Sequence, residues 1–444
     1  DISKSWGRGK DKRHGEECLC CWGGEFDGGG GRRHKGKGKM KRIIENCNCL
    51  DRWEDEVFCG KCGGYVQPKG WFMQDGSSQR SKFWRGSFTI AVSKKSFNVS
   101  EGEISIPFLT EKNLMWVSSN EIKFFQISDM SQIKEKALQD FSIKNAVIGR
   151  PYLYLFTSGK KFKKSYIRGN SSEIEIEDVI DIETDSPVDP ISFELLDLVL
   201  IVWGSEESLN ILKMNRYGGE STLNSKTLNG RIISLSGILE KTSLVILALT
   251  EDRNGIAINK VAYDISNDRF SFETGRDSKS IGNGKFSRTA LYGKYAVMEY
   301  ITGFEQKVNI LDIDNMAIIS DFRISGGVRN NYMPSPPICF AGKGYIKKFD
   351  TNNLLSMDIN DSPAIQEVTV NQDISSHKSW IGINNTLFIM DKKGNIYSFG
   401  STEPCYSPAS PCELTDLLVL CNSKKIIYMW TEEGAKTALI FGGN

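Results

Sequence analysis

The sequence predicts an all-β protein, a β-propeller preceded by a small zinc-stabilised N-terminal module. Three observations carry that expectation. Beyond about Phe83 the chain repeats one unit: an apolar strand, a short polar turn and an alternating strand. Only one segment of that stretch has helical character, MSQIKEKALQDF at 130–141. Seven of the 11 cysteines crowd between Cys18 and Cys62.

The repeat is visible in LMWVSSNEIKFFQI (114–127), YLYLFTSGKKFKKSYI (152–167), LVLIVWGSEESLNILKM (198–214) and LVILALTEDRNGIAINKVAYDI (244–265). It continues through 295–313, 338–350, 386–400 and 417–430. Turns such as Asn254-Gly255 and Lys393-Gly394-Asn395 tolerate positive φ and suit hairpins. Alternation in each second strand turns one side toward a core. Successive units lie roughly 30 to 50 residues apart, near the ~40–50 of a propeller blade. Radial repetition also leaves few exposed strand edges, which favours it over a pair of β-sandwiches for so long a chain. The eight hairpins, the last of them short, suggest seven blades, with eight the next choice. The strand at 438–441 is expected to return beside 87–92 and close the ring.

Residues 85–444 resemble WD40 and kelch propellers in texture. The double glycines of YGG (217–219), SGG (325–327) and FGG (441–443) are similar to those of kelch blades. The Gly-His and Trp-Asp signatures of WD40 blades do not appear. The resemblance implies an architecture and assigns no binding residue.

Residues 1–84 form a different material, rich in Gly, Cys and Trp. Cys18/Cys21 and Cys59/Cys62 are Cys-x-x-Cys pairs, Cys47/Cys49 is a Cys-x-Cys pair, and Cys20 lies inside the first. Thiolates at such spacing can turn toward one ion, and Cys62-Gly63-Gly64 permits the tight knuckle. Zn²⁺ is the default ion for a tetrahedral thiolate set. FCGKCGGY resembles the second knuckle of a zinc ribbon, a likeness covering roughly residues 16–66. However, 37 residues separate Cys21 from Cys59, more than the usual 15–20 or so. One alternative quartet is Cys47, Cys49, Cys59 and Cys62, leaving Cys18, Cys20 and Cys21 to take His34 or His14 and form a second site. So small an apolar content cannot build a core, so metal binding would supply the folding energy. Cysteines packed this closely point to metal rather than a disulfide framework, and hence to a reducing, intracellular and cytoplasmic setting.

The arm from Gly28 to Arg42 carries Arg32, Arg33, Lys35, Lys37, Lys39, Lys41 and Arg42 with no acid. Interleaved glycines make it extended and adaptable, suited to phosphate backbones or simply solvated. Its counterpart is the acidic stretch 173–189, with Glu173, Glu175, Glu177, Asp178, Asp181, Glu183, Asp185 and Asp189. Glu-Ile-Glu-Ile-Glu reads as a strand with a charged outer edge that discourages aggregation, or as a docking face for a basic partner. These features offset one another, leaving a net charge of +1 and no strong field to draw in a polyanion.

The longest apolar run, LLDLVLIVW (195–203), is too short to cross a bilayer, where about 20 residues are needed. The opening DISKSWGRGKDKRHG has no apolar signal core. With three histidines, no G-x-S-x-G elbow and no H-E-x-x-H, no catalytic residue can be named. The first reading is therefore a non-catalytic scaffold, its propeller binding a protein partner and its zinc ribbon a second partner. The rival is a nucleic-acid-associated protein using ribbon and arm. A third, a propeller hydrolase, predicts carboxylates gathered in the central channel. The cysteine pattern yields one prediction: elemental analysis should find at least one Zn²⁺ per chain, lost on Cys59→Ser with Cys62→Ser. Metal-free protein with its thiols oxidised in pairs would overturn it.

Overall fold

The structure, a computed structural model, describes residues 83–84 and most of 92–442. The chain divides into Asp1–Pro68 and Lys69–Asn444, and the description concerns the second unit alone. The cysteine cluster and the basic arm lie outside the described residues.

Eight sheets of four or five strands follow one another along the chain. They span residues 105–137, 143–181, 188–227, 231–282, 285–326, 338–368, 380–398 and 415–441, here blades one to eight. First strands of successive blades touch one another and line an axis, while last strands lie outermost. Burial follows this order. In blade three, second strand Leu198–Ser205 (LVLIVWGS) is buried along almost its whole length, whereas outer strand Ser221–Thr227 is largely exposed. The long apolar run is thus a central strand covered on both faces by neighbouring blades.

The core is a chain of interfaces between blades. Val147, Phe156 and Phe162 of blade two pack with Trp203 of blade three, and Leu244 and Ile246 of blade four join the same cluster. Leu247 and Leu249 on the opposite face of blade four pack instead with Leu291 and Met298 of blade five. This two-faced alternation is what period-two patterning produces when each sheet has two neighbours.

Blade eight closes the ring. Its last position is filled from the other end of the domain, where Val92–Phe97 pairs antiparallel with Ala435–Phe441. A cluster containing Phe97, Trp116, Met390, Tyr428 and Leu439 then joins blades seven, eight and one. The ring has eight blades, which corrects the sequence preference for seven. That preference merged the short last hairpin with the beginning of the domain. In fact Thr415–Cys421, Ile426–Glu432 and Ala435–Phe441 are three strands of a blade of their own. Blade seven has an addition on its axial side, where Phe83–Trp84 runs parallel to Trp380–Ile383.

A second correction concerns 130–141, which contains no helix. Gln132–Ala137 is the outer strand of blade one, paired with Glu121–Gln126. Its Lys and Glu favour a helix locally, but an unpaired strand edge beside them outweighs propensity. Lys134 lies over the Phe124 ring at 4.4 Å, a contact that needs the extended form.

Hydrogen bonds repeat with the blades on both faces of the ring. On one face, the N–H after the third strand donates to the carbonyl just before the second. Examples are Ile127 to Lys112 (3.0 Å), Ile265 to Thr242 (3.0 Å), Ile313 to Lys294 (2.8 Å) and Ile359 to Gly342 (2.8 Å). On the other face, the N–H after the fourth strand donates to the central hairpin. Leu138 donates to Asn120 (2.8 Å), Ile182 to Lys160 (2.8 Å), Leu228 to Glu207 (2.7 Å) and Val328 to Phe304 (3.0 Å).

Closure sets an energetic expectation. Leu439→Ala and Phe97→Ala each remove a side chain buried in the closing cluster and should cost about 2–5 kcal/mol in chemical denaturation. Leu223→Ala, on an exposed outer strand, should stay within about 0.5 kcal/mol of wild type. Equal effects at all three positions would contradict a ring held by this contact.

Candidate functional site

Charged groups inside the ring are held rather than free. Glu194 ends the first strand of blade three and receives Arg150 from blade two, with Nε at 2.9 Å and Nη2 at 2.6 Å. Arg216, after the third strand of blade three, approaches the same carboxylate at 3.5 Å and also donates to the Arg150 carbonyl. Burial opposes ionisation of Glu194, but the two guanidiniums outweigh it and hold the carboxyl below its ordinary range. Asp189, on the first strand of the same blade, binds Arg288 of blade five at 2.9 Å. Leu235 N–H of blade four also reaches Asp189, at 3.4 Å, so one ion pair ties three blades together.

Glu299 is different. It lies on the second strand of blade five, fully buried, and no cation reaches it among the described contacts. Gln306 Nε2 (2.7 Å) and the Tyr332 hydroxyl (2.8 Å) donate to Oε1. Ser335 donates its N–H (2.9 Å) and hydroxyl (3.3 Å) to Oε2. Burial pushes the carboxyl up to about 7, against these four donors, which favour the charged form. Two of its partners, Tyr332 and Ser335, belong to the loop residues 331–337 that lead to blade six. Gln306 extends the network, since its Oε1 accepts from Phe349 N–H at 2.8 Å and from the Ser325 hydroxyl at 3.0 Å. A side chain so enclosed cannot meet a substrate. It anchors a loop.

That loop and the adjoining hairpin carry the most exposed large apolar side chains in the described residues, Met333 (64%) and Phe304 (65%). Val328, Ile301 and Phe349, from the same loop and hairpin and from blade six, form a small cluster with Tyr332, whose ring meets Phe349 edge-on at 5.1 Å. Met333 follows Tyr332 of that cluster in the chain and the Phe304 carbonyl accepts the Val328 N–H at 3.0 Å, so both are tied to this platform through the backbone.

Of the sites expected from sequence, Cys18, Cys20, Cys21, His34, Cys47, Cys49, Cys59 and Cys62 lie outside the described residues. So do Arg32, Arg33, Lys35, Lys37, Lys39, Lys41, Arg42 and the lone His377. The acidic stretch is partly neutralised. Its strand, Glu177–Asp181, pairs with Lys161–Tyr166, so Lys161 meets Asp181, Lys163 meets Asp178, and Lys164 meets Glu177 at 3.3 Å. Upstream, residues 173–176 are not strand, which corrects the reading of Glu-Ile-Glu-Ile-Glu as one, although Ile174 is buried and Glu173 and Glu175 are exposed. GNGKFS (282–287) enters blade five and is shaped by packing. At Gly284 (φ +152°) a Cβ would stand 2.1 Å from the Ile301 carbonyl oxygen, so glycine is required for close approach.

Sequence reasoning missed the clearest internal signature. Third strands end in Tyr263-Asp264, Leu311-Asp312 and Met357-Asp358, each followed by an isoleucine. The aspartate has a local reason. Asp312 Oδ1 accepts Asp314 N–H (2.9 Å) and Asn315 N–H (3.2 Å), and Asp264 Oδ1 accepts Ser266 N–H (2.9 Å) and Asn267 N–H (3.2 Å). A search for hydrophobic-Asp-Ile at strand ends would have found these blades.

Glu299 gives a pH dependence of known sign. Its folded pKa of about 7 exceeds the ordinary 4.5, so the folded state binds the extra proton between those values. Stability should therefore fall as pH rises from about 4.5 past 7, by about 3 kcal/mol if the full shift is expressed. Denaturation of Glu299→Gln should lack that decline. A wild-type curve that is flat or rises with pH, unchanged by the substitution, would refute the assignment.

No protein-family model matches the chain, and no curated protein matches it. Among solved structures it is similar to the computationally designed Ika8 protein, at 10% identity and a TM-score of 0.50, covering 78% of this chain and 98% of that one. It is also similar to the Dos1 propeller, at 11% identity and a TM-score of 0.49, covering 83% and 96%. The WD40 domain of SCAP from fission yeast is 11% identical with a TM-score of 0.46, covering 80% and 98%. At such identities the likeness concerns the fold alone, and the chain folds as a β-propeller.

Proposed function

We propose that this protein is a non-catalytic interaction scaffold, in which the propeller binds a protein partner and the cysteine-rich module contacts a second. The observation that supports the first half is the platform on blade five. There the chain ties large apolar side chains to a buried cluster through the backbone and leaves them open to solvent, an arrangement that stability alone does not need. The charged groups of the interior support the same reading. Asp189 and Glu194 are each committed to arginine.

For the second half, the support remains the cysteine pattern. Cys59 and Cys62 with either Cys18/Cys21 or Cys47/Cys49 would form a tetrahedral thiolate site, and Cys20 and His34 fit a second one. Such a module works in a reducing compartment, so the protein is placed in the cytoplasm. The arm at 28–42 gives the nucleic-acid reading its one foothold. No helix among the described residues is long and apolar enough to cross a membrane.

Affinity capture with the full chain distinguishes the two readings. A scaffold should retain its protein partner at about 0.1 M salt and still hold part of it at about 1 M, because apolar anchors are screened little and only contacts to the charged rim weaken. Nucleic-acid binding should instead weaken steeply with salt, and the slope of log affinity against log salt should flatten by about 0.9 per duplex contact removed from the arm. If no protein is captured and the salt-dependent binding disappears when the seven arm cations become Gln, the scaffold reading fails.

A further inference from the structure

We propose that the outer end of blade five is a docking site for an acidic peptide segment with apolar anchors, carried by a partner protein. The proposal rests on the scaffold reading and narrows it to one surface. The connection leaving blade five is longer than those leaving blades one, two and three, as are those from Val368 to Trp380 and from Ser398 to Thr415. After the hydrogen bond from the end of a blade to its central hairpin, the next blade begins five residues on from Leu138, six from Ile182 and three from Leu228. From Val328 it begins ten residues on, at Ile338. Relative to the first three blades the chain between blades five and six is an insertion, and loops on a rigid ring are where recognition is placed.

The insertion is fastened from within. Tyr332 and Ser335 reach down to Glu299, Val328 joins the buried cluster, and Pro334, Pro336 and Pro337 restrict the backbone. Fixing a loop before binding lowers the entropy lost when a partner arrives. The fixed loop presents Met333, and Phe304 stands at the tip of the Thr302–Glu305 hairpin, to which Val328 is bonded directly. Gly303, at φ +58°, makes the tight turn that thrusts Phe304 outward. The other exposed large apolar residues, Ile133, Tyr166 and Leu223, are less exposed and lie on separate blades.

Charge selects the occupant. Strand register puts Lys285 opposite Ile301 on one side of the hairpin, and Lys307 opposite Arg323 on the other. Arg329 begins the insertion and is exposed. Against Lys307, Arg323 and Arg329 stand Glu305, 2.8 Å from Arg323 and 3.7 Å from Lys307, and Asp321, which accepts the Tyr300 hydroxyl at 2.7 Å. The rim is therefore basic around an apolar centre. A single-stranded nucleic acid fits less well, because it needs successive aromatic faces for stacking and the patch exposes one ring.

The test is selection of a displayed library of random peptides of about 12 residues on the full chain, followed by affinity measurement of the winners. Selected peptides should be rich in Asp and Glu with two or more Leu, Phe or Trp. They should bind at least about tenfold more weakly to Phe304→Ser with Met333→Ser, and to Arg323→Glu with Arg329→Glu. Tyr166→Ser and Leu223→Ser, elsewhere on the ring, should leave binding unchanged and show that a surface serine is tolerated. Four results would overturn the proposal: no enrichment, winners without acidic character, winners indifferent to the Phe304 and Met333 changes, or tight binding of oligo(dT) at this face. Peptides that bind another face would remove this site while the scaffold reading stood. That reading falls separately, by failure of protein capture.

Discussion

A sheet whose central strands are buried on both faces has no stable existence alone, and this constraint organises the molecule. Leu198–Ser205 is apolar nearly throughout because blade two covers one of its faces and blade four the other. The same need passes from blade to blade and can end only by closing. Pairing Val92–Phe97 with Ala435–Phe441 ends it, joining segments more than 330 residues apart. Loop closure on that scale costs entropy that grows only slowly with length, so one well-packed contact can offset it. Phe97 brings it into register with aromatic contacts to Phe125 at 4.9 Å and Trp116 at 6.3 Å, both in blade one.

Apolar faces hold blades together without specifying how they sit, and the interior charges supply the specification. Arg150, Glu194 and Arg216 tie blade two to blade three, and Asp189 with Arg288 reaches from blade three to blade five. Desolvation makes such groups poor sources of net stability, but removing one partner leaves an uncompensated charge and costs about 3–5 kcal/mol. Blades that slid or rotated would pay that penalty, whereas an all-apolar interface would adapt.

This division explains what could be read from the sequence. Period-two alternation and turn chemistry are local, so all eight repeat units were visible, and each is a hairpin of one blade. Blade number was not local. It depends on whether 92–97 completes the last blade or begins the first, and nothing in VSKKSF distinguishes the two. The strand at 132–137 was missed for a similar reason, because helical propensity in QIKEKA is a local signal and the edge at Glu121–Gln126 is a tertiary one. Glu299 was equally unreadable. As one of 55 acidic residues in the chain, it is set apart only by Tyr332 and Ser335, more than 30 positions away.

The buried carboxyl also shows why blade five differs from the first three blades. A loop that only connected two blades would need no more than the three to six residues used after blades one, two and three. A longer one costs ordering entropy, about 1–2 kcal/mol for each residue fixed. Fixing it with donors onto a desolvated carboxyl adds a further cost, since burial has already pushed Glu299 up to about 7. Hydrogen bonds made in a low-dielectric interior are the compensation, because there they are stronger and harder to exchange for water. Such a bargain makes little sense for a spacer. It is intelligible if the outer face of the loop must hold one shape, with Met333 and Phe304 exposed on segments tied to the Ile301 and Phe349 cluster.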